Sequence, residues 1–307
     1  MELINHLRGI RVLCAVAEHG SFTAAAGALG LTQSAVSQHV SALERHLGAT
    51  LLDRAARPVA LTAVGDALVR HGRLPLTRLE DAEHDVAEVA ERRAGRLRLG
   101  SFPTALATFV PQALARFRAR RPGVTLSVLD DHLQALLPRL HDGEVDIALV
   151  YDHPALLRHP DGELERIALF EDPFKVVLPE RHPLAAATRP LDLVALRGEA
   201  LIGGMPGSTW FRIVREACRR AGFDPTVEFA SDDYRGVQAF AAAGLGVAVV
   251  PGLAVSAGAV PGTRVRDLLP GGPTRRVLAV RGREAFPTAA SGLMLETLVE
   301  VTAPYRR

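Results

Sequence analysis

The sequence predicts a multidomain protein with an all-α N-terminal part, a long connecting helix and an α/β part made of two lobes. Up to about residue 57, apolar residues recur at the spacing of short helices separated by tight turns. From about residue 95, short apolar strands alternate with amphipathic helices. With 307 residues, 48% hydrophobic and 23% charged, the chain is long enough to bury several separate cores.

Three short helices are predicted in the N-terminal part, over residues 4–18, 23–29 and 33–47. The third lies within LTQSAVSQHVSALERHLG, where Thr32 can cap its start and Gly48 its end. One face of this helix is apolar. The other collects uncharged hydroxyl and amide side chains, at Gln33, Ser34, Ser37, Gln38 and Ser41.

The uncharged polar face indicates DNA recognition, because an ordinary solvated face carries Lys, Glu and Arg. Gln is a bidentate partner for adenine, and Ser can meet base edges or phosphates. Two helices joined by a tight turn at residues 29–31 form a helix-turn-helix, whose second helix enters the major groove. LLDRAARPVALT then has the two short apolar runs of a β-ribbon, or wing.

Backbone phosphates would be contacted by arginines and by the start of the third helix. The arginines are Arg45, near the end of that helix, and Arg54 and Arg57 in the wing. The predicted DNA-binding residues are therefore Thr32, Gln33, Ser34, Ser37, Gln38, Arg45, Arg54 and Arg57.

The long connecting helix is predicted over residues 63–93. Leu79, Ala82, Val86 and Val89 repeat at spacings of 3, 4 and 3, opposite an acidic face. This heptad favours a dimer seam over a solvated surface helix. Pro75 should kink the helix or split it in two.

The α/β part has strand candidates that right-handed crossovers should place in parallel sheets. The chain would cross between the two lobes near residues 164–168 and 261–265. Lobe I then comprises about residues 95–164 and 266–307, and lobe II about 165–265. The helix of lobe I nearest its first strand is predicted over residues 104–119.

Composition excludes several classes of protein. Residues 236–263 carry no charge, but they are divided into pieces too short for a continuous membrane helix by Gly244, Gly246, Pro251, Gly252, Gly258 and Pro261. Cys14 and Cys218 are the two cysteines, and their spacing supports neither a disulfide framework nor a zinc site. A reducing cytosol suits such a chain. The N-terminus MELINHLRGI lacks the features of a cleaved signal peptide.

The segment SFTAAAGALGLTQSAVSQHVSALERHLGATLLDR, followed by LTAVG, resembles the N-terminal domain of LysR-type transcriptional regulators. The resemblance covers the order of the whole chain, and AAAGLGVAVVP is similar to a recurrent segment of the family's second lobe. It implies a winged helix-turn-helix DNA-binding domain over residues 1–62, a dimerisation helix over 63–93, and an effector-binding domain over 94–307. The last is similar to periplasmic binding proteins. Leu52 stands where the family usually has Phe.

Membership of such a family implies a cytoplasmic regulator of transcription rather than an enzyme, without a cofactor or a metal. Its expected partners are a double-stranded DNA operator and a small-molecule effector. Two recognition helices must reach successive half-sites, so a homodimer is the smallest unit, and the resemblance extends this to a homotetramer. RNA polymerase stays open as a further partner, and no membrane is expected.

The effector site maps by resemblance to loops that face each other between the lobes. The residues are Ser101, Phe102, Thr104, Ile202, Gly203 and Ser231. Helix starts at Thr104 and Ser208 would favour an anionic ligand, although plain N-capping is an equal alternative. Acidic residues and a tyrosine nearby could instead select an amino or hydroxyl group, namely Asp130, Asp131, Tyr151 and Asp152.

Two rival functions fit the sequence less well. GGMPGST lacks the Lys of a phosphate-binding loop, and the chain has neither a GxSxG nor an HExxH motif, which leaves an enzyme without a catalytic constellation. His153 and His159 are more typical of loop histidines than of metal ligands. A free-standing solute-binding protein would explain two lobes but not the helix-turn-helix.

Overall fold

The computed structural model describes residues 3–91, 95–156, 164–282 and 289–306. These residues form two compact units, each with its own hydrophobic core. The first unit comprises residues 1–95 together with 141–144, and the second comprises the remainder of the chain.

The first unit contains four helices and a two-stranded wing, after a 3-10 turn over Leu3–His6. The elements are α1 (Leu7–His19), α2 (Phe22–Leu29), α3 (Gln33–Leu47), β1 (Leu52–Asp53), β2 (Ala60–Leu61) and α4 (Ala63–Glu91). α2 begins where the Ser21 hydroxyl accepts from the Ala24 N–H, and Gly30 ends it with φ 64°. The predicted helix-turn-helix and wing are confirmed.

The core of the first unit holds α3 by its apolar face. Val36, Val40 and Leu43 are fully buried and belong to one cluster with Leu13 and Val16 of α1. Because this stripe is buried, the opposite face of α3 must point outward.

Pro75 lies inside α4, which runs as one helix of 29 residues. The prediction that Pro75 could split this helix is therefore wrong. A proline in a helix interior removes one backbone hydrogen bond and crowds the preceding turn, and long helical stretches on both sides outweigh that local loss.

The second unit alternates strands and helices as predicted. Its strands are β3 (Arg96–Ser101), β4 (Thr125–Asp130), β5 (Ile147–Asp152), β6 (Leu164–Pro179), β7 (Ala200–Gly203), β8 (Thr226–Ala230), β9 (Ala248–Pro251), β10 (Thr263–Asp267) and β11 (Thr274–Gly282). Its helices are α5 (Pro103–Leu106), α6 (Val110–Arg120), α7 (Leu133–His141), α8 (Thr209–Arg220), α9 (Tyr234–Ala242), α10 (Leu253–Ser256) and α11 (Ala289–Thr302).

Two of these helices occupy the stretch predicted as one helix over residues 104–119. α5 ends at Leu106 and α6 begins at Val110, with Pro111 in its first turn. A proline suits the first turn of a helix but disrupts a helix interior, which explains why one helix cannot continue through this position.

The main sheet has the strand order β10-β6-β11-β5-β3-β4, and β9 also pairs with β6. β3 is parallel to β4 and β5, and β7 is parallel to β8, as predicted. The prediction of parallel sheets is wrong for β9, β10 and β11, which all run antiparallel to β6. β11 is also antiparallel to β5. β6 carries the chain from lobe I into lobe II, and β11 lies in lobe I, where it runs back along the first part of β6.

The chain passes between the lobes later than predicted. Leu169 and Phe170 on β6 belong to the core of lobe I, and Phe174 begins the core of lobe II. β6 is therefore one continuous strand of 16 residues, paired with β11 up to Pro173 and with β9 and β10 beyond it. The return passage lies between β10 and β11.

The uncharged run over residues 236–263 folds into α9, β9, α10 and the start of β10. Among the residues described, no helix combines the length and apolar character that crossing a membrane requires.

Candidate DNA-binding face and ligand cleft

The outward face of α3 presents the amides and hydroxyls singled out in the sequence. Gln33, Ser34 and Gln38 are exposed, and Ser37 is partly buried. The Thr32 hydroxyl accepts from the Ala35 N–H at 3.2 Å, so this residue caps the helix. Uncharged donors and acceptors are thus displayed on a helix that the core holds in place.

The three predicted phosphate-binding arginines have different surroundings. Arg45 is exposed, and its Nε donates to the Ser41 carbonyl oxygen. Arg54 is held over the ring of Phe22, with its guanidinium carbon 5.3 Å from the ring centre. Arg57 is exposed in the wing.

Glu44 joins α3 to the wing, and the sequence analysis did not identify it. Its Oε1 accepts from the Leu51 N–H at 2.9 Å, and its Oε2 accepts from Arg54 Nη2 at 3.1 Å. The available signal was that Glu44 is the single acidic residue in α3.

Two adjoining chambers lie between the lobes of the second unit. The inner chamber encloses about 40 Å³. The outer chamber encloses about 410 Å³. Leu133, Tyr151 and Thr209 line both, and the hydroxyls of Tyr151 in lobe I and Thr209 in lobe II share a short hydrogen bond. This contact forms the partition between the two chambers.

A buried ion pair lies beside the inner chamber, which Arg275 lines. The side chains of Arg275 on β11 and Asp172 on β6 are 2% and 3% exposed, and Arg275 Nη2 lies 2.8 Å from Asp172 Oδ2. Asp172 Oδ1 accepts from the Leu253 N–H, and Arg275 Nη2 also donates to the Thr104 hydroxyl at 2.7 Å. The guanidinium also faces the Tyr151 ring, 4.6 Å from its centre.

The charge of Arg275 is secured by its partner. Burial, the largest single effect, lowers the pKa of this guanidinium, but the Asp172 carboxylate and the Tyr234 and Tyr151 hydroxyls together outweigh burial and raise the pKa above the usual value. Tyr234, which also lines the inner chamber, has its hydroxyl pKa raised, chiefly by burial. The inner chamber therefore contains a charge-balanced pair and a neutral phenol.

The structure separates the predicted effector residues. Phe102 and Thr104 line the inner chamber, whereas Ser101 is fully buried and donates to the Phe102 carbonyl oxygen. Ile202 and Gly203 are buried within β7. The Ser231 hydroxyl accepts from the Asp233 N–H in its own loop. The effector contacts of these six residues stay predictions.

The two helix starts expected to bind an anion have hydrogen-bond partners within the protein. Thr104 lies in a helix of four residues, and its hydroxyl is already bonded to Arg275. The Ser208 hydroxyl accepts from the Phe211 N–H at 3.2 Å, which is N-capping. Both positions therefore make the contacts that the capping or packing alternative predicts, and anion binding there stays a prediction.

Two of the three acidic residues considered as selectors of an amino or hydroxyl group have arginine partners. Asp131 pairs with Arg139, and Asp152 pairs with Arg276 at 2.8 Å. The negative charges of Asp131 and Asp152 are therefore compensated within the protein.

The two cysteines are poor nucleophiles. Burial raises the pKa of the Cys14 thiol, in the first unit, to about 11. Burial also raises the pKa of the Cys218 thiol, in the second unit, to about 11. Only a small fraction of either thiol is ionised near neutral pH.

Comparisons with known proteins match both parts of the chain to the same family of regulators. The family model for the bacterial regulatory helix-turn-helix protein, lysR family, matches residues 7–66, and the LysR substrate binding domain matches residues 90–303. The "Probable hydrogen peroxide-inducible genes activator" of Mycobacterium xenopi is 37% identical over 183 residues, covering 60% of this chain and 94% of that protein. The regulator CfxR of Cupriavidus necator is 33% identical over 244 residues, covering 80% and 75%.

Solved structures show the same fold. The crystal structure of CbnR, a LysR family transcriptional regulator, has a TM-score of 0.70 at 22% identity, covering 98% of this chain and 99% of that chain. A structure of full-length CbnR with its target DNA has a TM-score of 0.69 at 22% identity, covering 98% and 100%.

Proposed function

The chain belongs to the LysR family of transcriptional regulators, and on this premise we propose how its residues read DNA and bind an effector. It is a DNA-binding regulator with an effector-binding domain, and its relatives are regulators rather than enzymes. The observation that carries the proposal is the exposed, uncharged polar face of α3. We place the DNA-binding domain at residues 1–62, the dimerisation helix at 63–93 and the effector-binding domain at 94–307.

Base recognition is assigned to Gln33 and Gln38, and Ser34 and Ser37 lie on the same helix face. Arg45, Arg54 and Arg57 bind phosphates, and Thr32 fixes the start of the helix. Among these arginines, Arg57 is the clearest phosphate ligand. Arg54 also holds the wing against Glu44 and Phe22, so its loss would change structure as well as charge.

Gel-shift titrations at several salt concentrations test these roles. Gln33→Ala and Gln38→Ala should each lose about 1–3 kcal/mol of discrimination at one base position and keep their affinity for random DNA. Arg57→Ala should weaken binding to all sequences and reduce the salt dependence by about one ion. If the Gln variants lose affinity equally on operator and random DNA, the assignment of base contacts is wrong.

The assembly is proposed to be a homodimer through α4 and a homotetramer through further contacts. Leu79 and Val86 of the predicted seam are 49% and 68% exposed, and Ala82 is exposed as well. The side chain of Val89 lies outside the described residues. A row of exposed apolar residues on a long helix favours a helix partner. We place the protein in the cytoplasm, where its DNA is.

The relatives named for hydrogen peroxide raise a second candidate, a thiol-based peroxide response. The cysteines of this chain do not favour it. Both have a thiol pKa of about 11, and they lie in different units. We therefore propose that this regulator responds to a small molecule bound in the cleft between its lobes.

A further inference from the structure

The outer chamber has the dimensions of a small-molecule site, and the inner chamber does not. Ligand pockets typically enclose roughly 300–1,000 Å³. The outer chamber has a volume of about 410 Å³, whereas the inner one has about 40 Å³ and is lined by Arg275, which is paired with Asp172. An organic effector therefore fits the outer chamber without breaking that pair.

The floor of the outer chamber is one face of three adjacent strands. Arg276 and Leu278 on β11 stand beside Asp152 and Val150 on β5. Leu278 also stands beside Ala168 on β6. Because alternate residues of a strand point to the same face, these side chains share one surface. Leu133 and Leu137 of α7 add an apolar wall.

The charge of this chamber is positive. Its lining includes three arginines, Arg166, Arg212 and Arg276, against one carboxylate, that of Asp152. Arg276 Nη2 donates to Asp152 at 2.8 Å, and Arg212 Nη2 donates to the Ala155 carbonyl oxygen at 3.0 Å. A guanidinium has five N–H donors, so both arginines keep donors for a ligand.

We propose that the outer chamber is a binding site for a carboxylate with an apolar body. The carboxylate accepts hydrogen bonds from Arg212 and Arg276, whose planar guanidinium groups match its two oxygens. The apolar body packs on Leu133, Leu137 and Leu278. This inference rests on the proposed function, and it moves the effector from Ser101 and Thr104 to a separate chamber.

Calorimetric titration of the full-length protein tests the ligand class. The probes are phenylacetate and octanoate, which combine a carboxylate with an apolar body. Acetate supplies the charge without the body, and phenethylamine and benzyl alcohol supply the body without the negative charge. The expected result is binding of phenylacetate or octanoate, with the other three at least about tenfold weaker. If neither apolar carboxylate binds at millimolar concentration, the proposal is wrong.

Matched variants locate the site. Arg212→Gln removes a charge from the chamber, and Arg215→Gln removes one from the same helix, where Arg215 pairs with Asp224 outside the chamber. Ala168→Phe fills the floor while keeping every charge. Arg212→Gln and Ala168→Phe should each weaken probe binding about tenfold or more, and Arg215→Gln should leave it unchanged.

Thr104→Val separates the two chambers, because Thr104 lines the inner one alone. If Thr104→Val abolishes probe binding while Ala168→Phe and Arg212→Gln retain it, the ligand occupies the inner chamber and the proposal is overturned. All four variants should keep operator binding in gel shifts. Circular dichroism spectra that match the original protein would show that the effector-binding domain of each variant is folded. A protein that binds the carboxylates but no DNA would refute the regulator function and leave this site intact.

Discussion

Removing the Asp172 carboxylate should destabilise the effector-binding domain strongly. Asp172 and Arg275 are both almost fully buried, and Asp172→Ala leaves the guanidinium without its counter-charge. The loss of one partner of a buried ion pair costs roughly 3–5 kcal/mol. The same substitution also removes the acceptor of the Leu253 N–H. For a domain of about 200 residues, such a loss lowers the melting temperature by roughly 6–20 °C.

The matched control is Asp152→Ala, which breaks another Asp–Arg pair on the same sheet. Asp152 and Arg276 are 37% and 51% exposed, so solvent screens their attraction. Pairs of this kind contribute roughly 0–1 kcal/mol. Urea denaturation followed by circular dichroism compares the two variants. Equal losses of stability in the two variants would refute the argument that the buried Arg275–Asp172 pair stabilises the domain more than the exposed Arg276–Asp152 pair.

A double variant separates the charge from the packing. Asp172→Leu with Arg275→Met replaces the pair by apolar side chains of similar volume, and such replacements are often neutral or stabilising. Here the Leu253 N–H still loses its acceptor, which costs roughly 1–3 kcal/mol. The double variant should therefore recover most of the stability lost in Asp172→Ala, but it should stay slightly below the original protein.

Three further outcomes follow from the described contacts. Glu44→Ala should weaken operator binding severalfold, because the Leu51 N–H and Arg54 of the wing lose their acceptor on α3. If gel shifts show the same affinity for the variant and the original protein, these two hydrogen bonds do not matter for DNA binding. Cys14 and Cys218 should react with iodoacetamide at pH 8 roughly a hundredfold more slowly than a free thiol, since their pKa is about 11, and rapid labelling of the folded protein would contradict this. Leu79→Glu should shift light scattering toward monomers if α4 is the dimer seam, and an unchanged mass would exclude that seam.

The N-terminal unit could be predicted closely because its signals are local. Ser21 and Thr32 lie directly before the helices they cap, and Gly30 and Gly48 lie directly after the helices they end. The apolar stripe of α3 likewise needs no distant residue to define it. Local propensity and tertiary structure agree in this unit, which is the situation in which sequence patterns are most informative.

The cleft could not be predicted in the same way, because its contacts join distant parts of the chain. Arg275 and Asp172 are 103 residues apart and meet as partners in the β11–β6 register. That register depends on β6 continuing from one lobe into the other, whereas the sequence suggested a passage between the lobes where β6 begins. A charged residue at the start of the apolar strand RRVLAV was the available signal, but it could not identify the partner.

The contacts of the cleft also indicate how a ligand can act on the lobes. The ring of Tyr151 packs against the Arg275 guanidinium, and its hydroxyl shares a hydrogen bond with Thr209 on α8 of lobe II. Arg212 lies on the same helix, while Arg276 lies on β11 of lobe I. A carboxylate held by both arginines binds most tightly when the two elements are close, so its binding energy favours the closed lobes. A ligand shifts such an equilibrium only by its difference in affinity for the two arrangements. Because the two guanidinium groups come from different lobes, the difference in affinity between open and closed lobes arises at the carboxylate of the ligand. The apolar body packs on lobe I alone, so it strengthens binding equally in both arrangements and does not favour closure.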